Sequence, residues 1–292
     1  MNILTFDIEE WAQAKAGGYD NPGLYAQYDN YLGKILEVLD EKELKGTFFC
    51  TGMMATDFPH VVKLIQARGH EVGCHSFSHK WLNKMTEDEA YKDTYESVDA
   101  LEQCIGEKVK SYRAPAFTIG KDNKWAFEIL SHCGITRDAS VCPADRDFGG
   151  FAQFGSKKPT MLYYNRTMLK EFPVSTTKFL GHELAYSGGG YFRLFPLSFV
   201  RKEMAKSDYV MTYFHIRDLI PESDGMMCRK DFEDYYKIPG TLKNRYMRYI
   251  KTNLGKKKAF GKLLSLIATE DFVNMEQADN IINWEQAPSL LL

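Results

Sequence analysis

The sequence predicts a mostly parallel α/β fold, barrel-like, with a helical extension at its C-terminal end. Short apolar runs alternate with stretches of helical spacing, the pattern of strand–helix–strand units. Ionisable residues gather just after the predicted strands, the rim where barrels of parallel strands carry their active-site groups. A length of 292 residues suits one α/β barrel.

Residues 3–7 form the first predicted strand, an apolar run that ends on Asp7. Tyr28, Leu32, Ile35, Leu36 and Leu39 then recur at helical spacing and predict a helix over residues 25–43. Residues 46–50 read as a strand, 61–68 as a helix closed by Gly69, and 71–74 as a third strand with His75 at its end. Thr86 followed by Glu89 has the form of a capping box and opens a helix reaching about Cys104. Tyr112 and Arg113 end a fourth strand; a helix over 123–133 and a strand over 135–140 follow. The rhythm breaks from Val141 to Gly190, where only 160–163 and 171–174 read as strands. It returns with a helix over 196–206 and a strand over 209–214. Residues 228–266 read as helical and basic, and 271–282 as a short strand plus helix. The chain divides into a barrel over 1–225 and a helical extension over 226–292 packed on the same domain.

Composition excludes several classes. The chain is 44% hydrophobic and 26% charged with a net charge of −2, so nothing global points to nucleic acid. No run approaches the roughly 20 apolar residues of a membrane span. The N-terminal residues lack the basic start and apolar stretch of a secretory signal, and the six cysteines are scattered without a CxxC pair. A reduced, cytoplasmic protein is the expectation.

The chemistry sits at the strand ends. His75 and His79, four residues apart, have a spacing that brings two imidazoles to one face of a helical turn and suits one metal ion. A nearby carboxylate completes such a set. Asp7 and Glu9, two apart, project to one side of extended backbone, so that one can bind metal while the other acts as base. Arg113, beside Pro115, can orient a carboxylate by a bidentate pair. Asp138 and His215 end later strands. Each motif also has a bland reading as a satisfied or solvated polar group; the concentration on one rim favours chemistry.

Thr5-Phe6-Asp7, His75-Ser-Phe-Ser-His79, Arg113-Ala-Pro-Ala-Phe117 and Phe214-His215 occur in the order and approximate spacing of the NodB-homology motifs. The chain thus resembles the NodB-like deacetylases, carbohydrate esterase family 4. Residues 138–143 and 187–193 further resemble a subgroup tied to exopolysaccharide and O-antigen synthesis. The resemblance implies a distorted (β/α) barrel of about seven strands, a divalent metal with zinc the expected ion, and removal of an N-acetyl group from an amino sugar. It implies Asp7 as base, His75 and His79 as metal ligands, Arg113 as holder of the base, His215 as general acid and the Ala116 N–H as oxyanion donor. The family commonly has a second aspartate where Ile8 stands here; strand alternation makes Glu9 the replacement and Glu10 the fallback. Asp138 and Asp218 are the candidate partners of His215. Phe117, Tyr191 and Arg193 are expected to face the sugar, the last two on a glycine-rich loop that closes over it.

Rival readings are a glycosidase, which needs two flanking acids and no metal, a barrel that binds sugar without catalysis, and another amide hydrolase on the same fold. The basic stretch 229–262 fits either a face laid on an anionic membrane or a solvated face on a packed helix.

Overall fold

The computed structural model describes residues 1–18 and 21–292. Seven strands follow one another round a barrel. The first is interrupted at Leu4 into Asn2–Ile3 and Thr5–Ile8; next come Thr47–Cys50, Glu71–Cys74, Ser111–Tyr112, Arg137–Asp138 and Thr167–Glu171. The seventh runs as Val210–Met211 and Phe214–His215. Successive strands pair in parallel, and the seventh returns to the first with Phe214 opposite Phe6 and His215 opposite Asp7. Between the sixth and seventh, Ser175 stands in for a ladder: its Oγ accepts from Met211 N at 2.9 Å and its N–H donates to Met211 O at 3.5 Å. That loose seam distorts the barrel.

Strand alternation makes two cores. Phe6, Ile8, Phe48, Cys50 and Cys74 face outward against the helices, whereas Ile3, Phe49, Phe172 and Met211 fill the barrel interior. Both faces are covered, so the strands read as continuous apolar runs and not as alternating ones. Thr5 and Asp7 share the inward face with Ile3, which delivers the Asp7 carboxylate to the barrel mouth.

The helix predicted over 25–43 is Pro22–Glu41, and the one predicted to open at Thr86 is Glu87–Ile105. Pro22–Glu41 starts on Asn21, whose side chain accepts from Gly23 N at 2.9 Å. Glu87–Ile105 opens with the predicted capping box, Thr86 and Glu89 bonding reciprocally, and closes at Gly106 with φ 73°.

Three differences stand out. The sixth strand is Thr167–Glu171, paired antiparallel with Thr160–Tyr164, and not residues 171–174. The exposed hairpin Thr177–Phe179/His182–Leu184 carries no alternation that would predict it. The extension adds a strand that was not expected, Ser289–Leu291, which pairs with Thr160–Tyr164, whereas Phe272–Val273, paired with Asn2–Ile3, and helix Met275–Ile281 are the short strand plus helix predicted over 271–282. The C-terminal residues are thereby woven into the sheets. No helix among the described residues is long and apolar enough to cross a membrane.

Candidate active site

Asp7 lies buried at the end of the first strand, with Oδ1 accepting from Arg113 Nη1 at 2.8 Å. Arg113 is itself buried; it also donates to Thr5 Oγ1 at 2.7 Å and lies over the Phe49 ring, 4.2 Å from its centroid. Burial pushes the Asp7 carboxyl up, but Arg113, His75 and His215 outweigh it, and the group lies below the usual range. Asp7 is therefore an ionised carboxylate held in one orientation.

Glu9 follows the strand, at the start of the short helix Glu10–Ala16. Its Oε2 lies 3.2 Å from His75 Nε2 and 2.7 Å from His79 Nε2. One ligand atom from each of the three residues falls within 4.8 Å of the others. Burial raises the Glu9 carboxyl, yet His79 and His75 hold it well below the usual range. The His75 Nδ1 is 2.7 Å from the Arg113 carbonyl, which can only accept, so Nδ1 carries a proton and Nε2 is the ring atom turned to the cluster, the one that would ligate an ion on giving up its own proton. A carboxylate and two imidazoles converging on one point, with an outer partner fixing a tautomer, fit a divalent ion that prefers nitrogen and oxygen ligands.

The histidine pair does not lie on a helical turn, as the spacing predicts. Residues 75–79 form a loop in which Ser76 (φ 60°) and His79 (φ 58°) take left-handed backbone, bringing the rings to 5.1 Å between centroids. Ser76 O accepts from Gly52 N and Ser97 Oγ, and Phe77 N donates to Asp93 Oδ2 at 2.9 Å, which pins the loop.

Glu10 turns away from the histidines. Its carboxylate accepts from Arg217 N at 2.9 Å and Glu9 N at 3.3 Å, and burial, then Glu9, push it up to about 7. Of the two acidic candidates, Glu9 is the one that meets the histidine pair.

His215 Nε2 lies 3.6 Å from Asp7 Oδ2, and Nδ1 lies 3.4 Å from Asp218 Oδ2. Asp218 Oδ1 in turn accepts from Arg193 Nη1 at 2.6 Å. Burial lowers the imidazole, but Asp218 and Asp7 raise it further, to about 10. His215 is therefore an imidazolium at neutral pH.

Several expected positions differ. Asp138 does not meet His215; its Oδ1 accepts from Ser140 Oγ at 2.5 Å, and that hydroxyl accepts from Ala114 N at 2.8 Å. Burial pushes Asp138 up to about 6, and burial together with Asp138 pushes the neighbouring Glu171 well above the usual range, so Glu171 carries the shared proton. The pair braces the backbone after Arg113. Phe117 offers no face to a sugar: at φ 57° its ring turns inward, buried against Tyr213 with 5.1 Å between centroids. Ala116 keeps its place at the turn Pro115–Phe117, half-buried with φ 52°, a strained value for a residue with a Cβ.

Arg193 is not on a lid. The run predicted as a loop is the helix Gly189–Leu194, and Arg193 points inward to Asp218 and to the Thr252 and Lys251 carbonyls at 2.5 and 2.9 Å. Tyr191 on the same helix is exposed and stacks on Phe195, 6.0 Å between centroids. Gly188 is required by packing: a Cβ there would lie 1.9 Å from the Tyr213 carbonyl.

Sequence reasoning missed Tyr235, from the extension. Its ring packs edge-on against Trp81 at 5.6 Å. Trp81, two residues past His79, was the available signal.

Residues 3–137 match the polysaccharide deacetylase family, and residues 139–280 match a domain of unknown function, DUF3473. A peptidoglycan-N-acetylglucosamine deacetylase of Bacillus cereus is 33% identical over 127 residues, 41% of this chain and 46% of that protein. The peptidoglycan-N-acetylmuramic acid deacetylase PdaA of Bacillus subtilis is 34% identical over 97 residues, covering 32% and 36%. A chitooligosaccharide deacetylase of Sinorhizobium fredii is 29% identical over 104 residues, covering 34% and 48%. The chain spans less than half the length of these relatives. Among solved structures, a Mycobacterium smegmatis protein described as a polysaccharide deacetylase superposes with a TM-score of 0.65 at 18% identity, over all of this chain and 92% of that one. The fold is thus that of the NodB-like barrels. The chain carries a polysaccharide deacetylase domain of the NodB-like, carbohydrate esterase family 4 type, joined to the domain of unknown function.

Proposed function

We propose that this protein is a metal-dependent hydrolase that removes the N-acetyl group from an amino sugar of a bacterial surface saccharide. One observation carries the reading: a Glu–His–His cluster shares a rim with a buried carboxylate paired to Arg113 and an imidazole, His215, set between the carboxylates of Asp7 and Asp218.

Glu9, His75 and His79 would hold the ion, with zinc the first choice for two imidazoles and a carboxylate. When bound, such an ion lowers the pKa of water and polarises a carbonyl. Asp7 is placed to take the proton of the water that attacks the acetyl carbon. Arg113 keeps Asp7 ionised and stops it from rotating. The Ala116 N–H is assigned to the developing oxyanion. His215 gives its proton to the amide nitrogen as the C–N bond breaks, leaving acetate and a free amine. Arg193 and Asp218 act behind His215, holding its charge and its ring.

A glycosidase needs two carboxyls free to flank a bond. Here Asp7 pairs with Arg113 and Glu9 with two histidines, which favours the deacetylase. The named relatives act on peptidoglycan or chitooligosaccharides. The setting proposed for this chain is exopolysaccharide or O-antigen synthesis on the cytoplasmic side. The purified protein is tested against a panel of N-acetylated saccharides by measuring released acetate. Release that a chelator stops and zinc restores is expected; no release from any zinc-loaded sample overturns the reading.

Asp218→Asn removes the leading support of the imidazolium. The His215 pKa should fall, so the acid loses its proton at lower pH and the alkaline limb of kcat shifts downward. The pH–rate profile reads this directly, and an unmoved limb would exclude Asp218 from the role.

Residues 229–262 carry eleven lysines and arginines against three acidic residues. Lys256 is buried on Asp224, and Lys262 is engaged with the Phe195 carbonyl at 2.5 Å. Helix Leu242–Asn253 has no buried residue and presents Leu242, Tyr246 and Met247 beside exposed Lys243 and Lys251. We assign this face to an anionic membrane surface, where each basic residue contributes about 1 kcal/mol. Sedimentation with anionic vesicles should carry the protein down at low salt and release it at high salt; protein that stays in solution at low salt refutes the assignment.

A further inference from the structure

Leu180 stands at the tip of the hairpin Thr177–Phe179/His182–Leu184 with 85% of its surface exposed. Phe179 pairs with His182, so Leu180 and Gly181 alone make the turn, and both take left-handed backbone, at φ 49° and 84°. A two-residue turn of that kind favours asparagine followed by glycine, because a larger side chain in left-handed backbone crowds the next carbonyl. The glycine is present, but a leucine fills the first place. It gives the fold almost no burial in return for the strain. An apolar residue held out in solvent at a strained position points to a use outside the fold.

Leu180 belongs to a stripe. Its neighbour Phe179 packs edge-on against Phe195 at 5.3 Å between centroids, and Tyr191 of helix Gly189–Leu194 stacks on the same ring. The stripe then crosses to the extension. A Cβ on Gly255 would lie 2.6 Å from the Arg193 carbonyl, so Leu194 and Leu254, which flank that contact, are neighbours. They are 49% and 53% exposed. Exposed Met247 lies two helical turns before Leu254, on the helix Leu242–Asn253. Residues 176–182, 184–202 and 235–269 contain no aspartate or glutamate. Lys178, Lys251 and Lys257 are exposed close in the chain to Phe179 and Leu254.

We propose that this stripe is a hydrophobic wedge that enters an anionic lipid bilayer, with Leu180 as its leading residue. The proposal rests on the membrane assignment of the basic face above and extends it to the hairpin and to helix Gly189–Leu194. Single exposed apolar side chains are ordinary on a protein surface, whereas a row of them rimmed by charge of one sign marks a contact site. Apolar groups of such a row reach the acyl boundary while the lysines meet the headgroup phosphates. A protruding tip suits fluid acyl chains, which close around it. The helix that turns Tyr191 and Leu194 outward carries Arg193 inward to Asp218, so one helix separates the bilayer from the support of His215.

Leu180→Asn separates the wedge from the fold, since asparagine suits the turn. Its Tm should equal or exceed that of the wild type. Its partition onto vesicles of phosphatidylglycerol and phosphatidylcholine at low salt should fall about tenfold, near the lower end of what burying one leucine is worth. Leu254→Ser should lower partition as well, and the two changes together more than either alone. Leu291→Ser, at an exposed leucine on the strand paired with Thr160–Tyr164, should leave partition unchanged. If the wild type binds and both stripe variants bind equally well, the attraction is electrostatic alone; the wedge falls and the basic face stands. A wild type that stays in solution removes both. If the substitutions spare vesicle binding but turn a dimer into monomers in lipid-free ultracentrifugation, a second copy covers the stripe and the wedge is overturned. None of these readouts uses acetate release, so they decide the wedge whether or not the deacetylase reading holds.

Discussion

Asp7→Asn is expected to lower kcat by roughly 10³-fold, the middle of the range for a lost general base. Asparagine keeps the shape and one acceptor for Arg113, but it cannot take a proton from water. The substitution has a structural cost as well. Arg113 is fully buried, and its countercharge is gone. Removing one partner of such a pair typically costs about 3–5 kcal/mol. The bonds from Arg113 to Thr5 Oγ1 and its stacking on Phe49 remain and offset part of this. A lowered Tm with an unchanged metal content is therefore expected beside the loss of turnover. A variant within tenfold of wild type would move the base role elsewhere. Glu10, raised to about 7, would be the first group to examine.

The barrel was legible because its strands are covered on both sides and so read as apolar runs, and because the helix Glu87–Ile105 announces its start with Thr86 and Glu89. The rim residues were legible because a strand end fixes where a side chain emerges. Beyond the strand end that logic fails. The spacing of His75 and His79 suggested a helical turn, whereas the loop between them is shaped by contacts from Gly52, Ser97 and Asp93, none of them nearby in sequence. The glycines before Arg193 suggested a lid. Gly188 instead answers to the carbonyl of Tyr213, twenty-five residues on, and Arg193 answers to Asp218 and to the end of a distant helix. Phe117 suggested a stacking face, but left-handed backbone at Ala116 and Phe117 folds the ring into the barrel. Long-range packing set each of these outcomes, and a local pattern does not record it.

The choice between the two adjacent glutamates yields the sharpest contrast in metal content. Glu9→Ala should lose the ion, whereas Glu10→Ala should keep it. Glu9 brings its Oε2 within 3.2 Å of both histidine Nε2 atoms, so without it two imidazoles remain facing a gap. The loss of affinity should exceed the 10–100-fold that removal of an outer-shell partner costs, because a direct ligand carrying the cluster's negative charge has gone. Glu10 instead receives the backbone N–H groups of Glu9 and Arg217. Its removal loosens the segment after His215 and should reduce turnover through misplacement of the acid while the ion stays bound. Elemental analysis of both variants after dialysis against limiting chelator separates the outcomes. If Glu9→Ala retains a full equivalent while Glu10→Ala loses it, the carboxylate ligand is Glu10, and the helix that starts at Glu10 must rearrange when the ion enters.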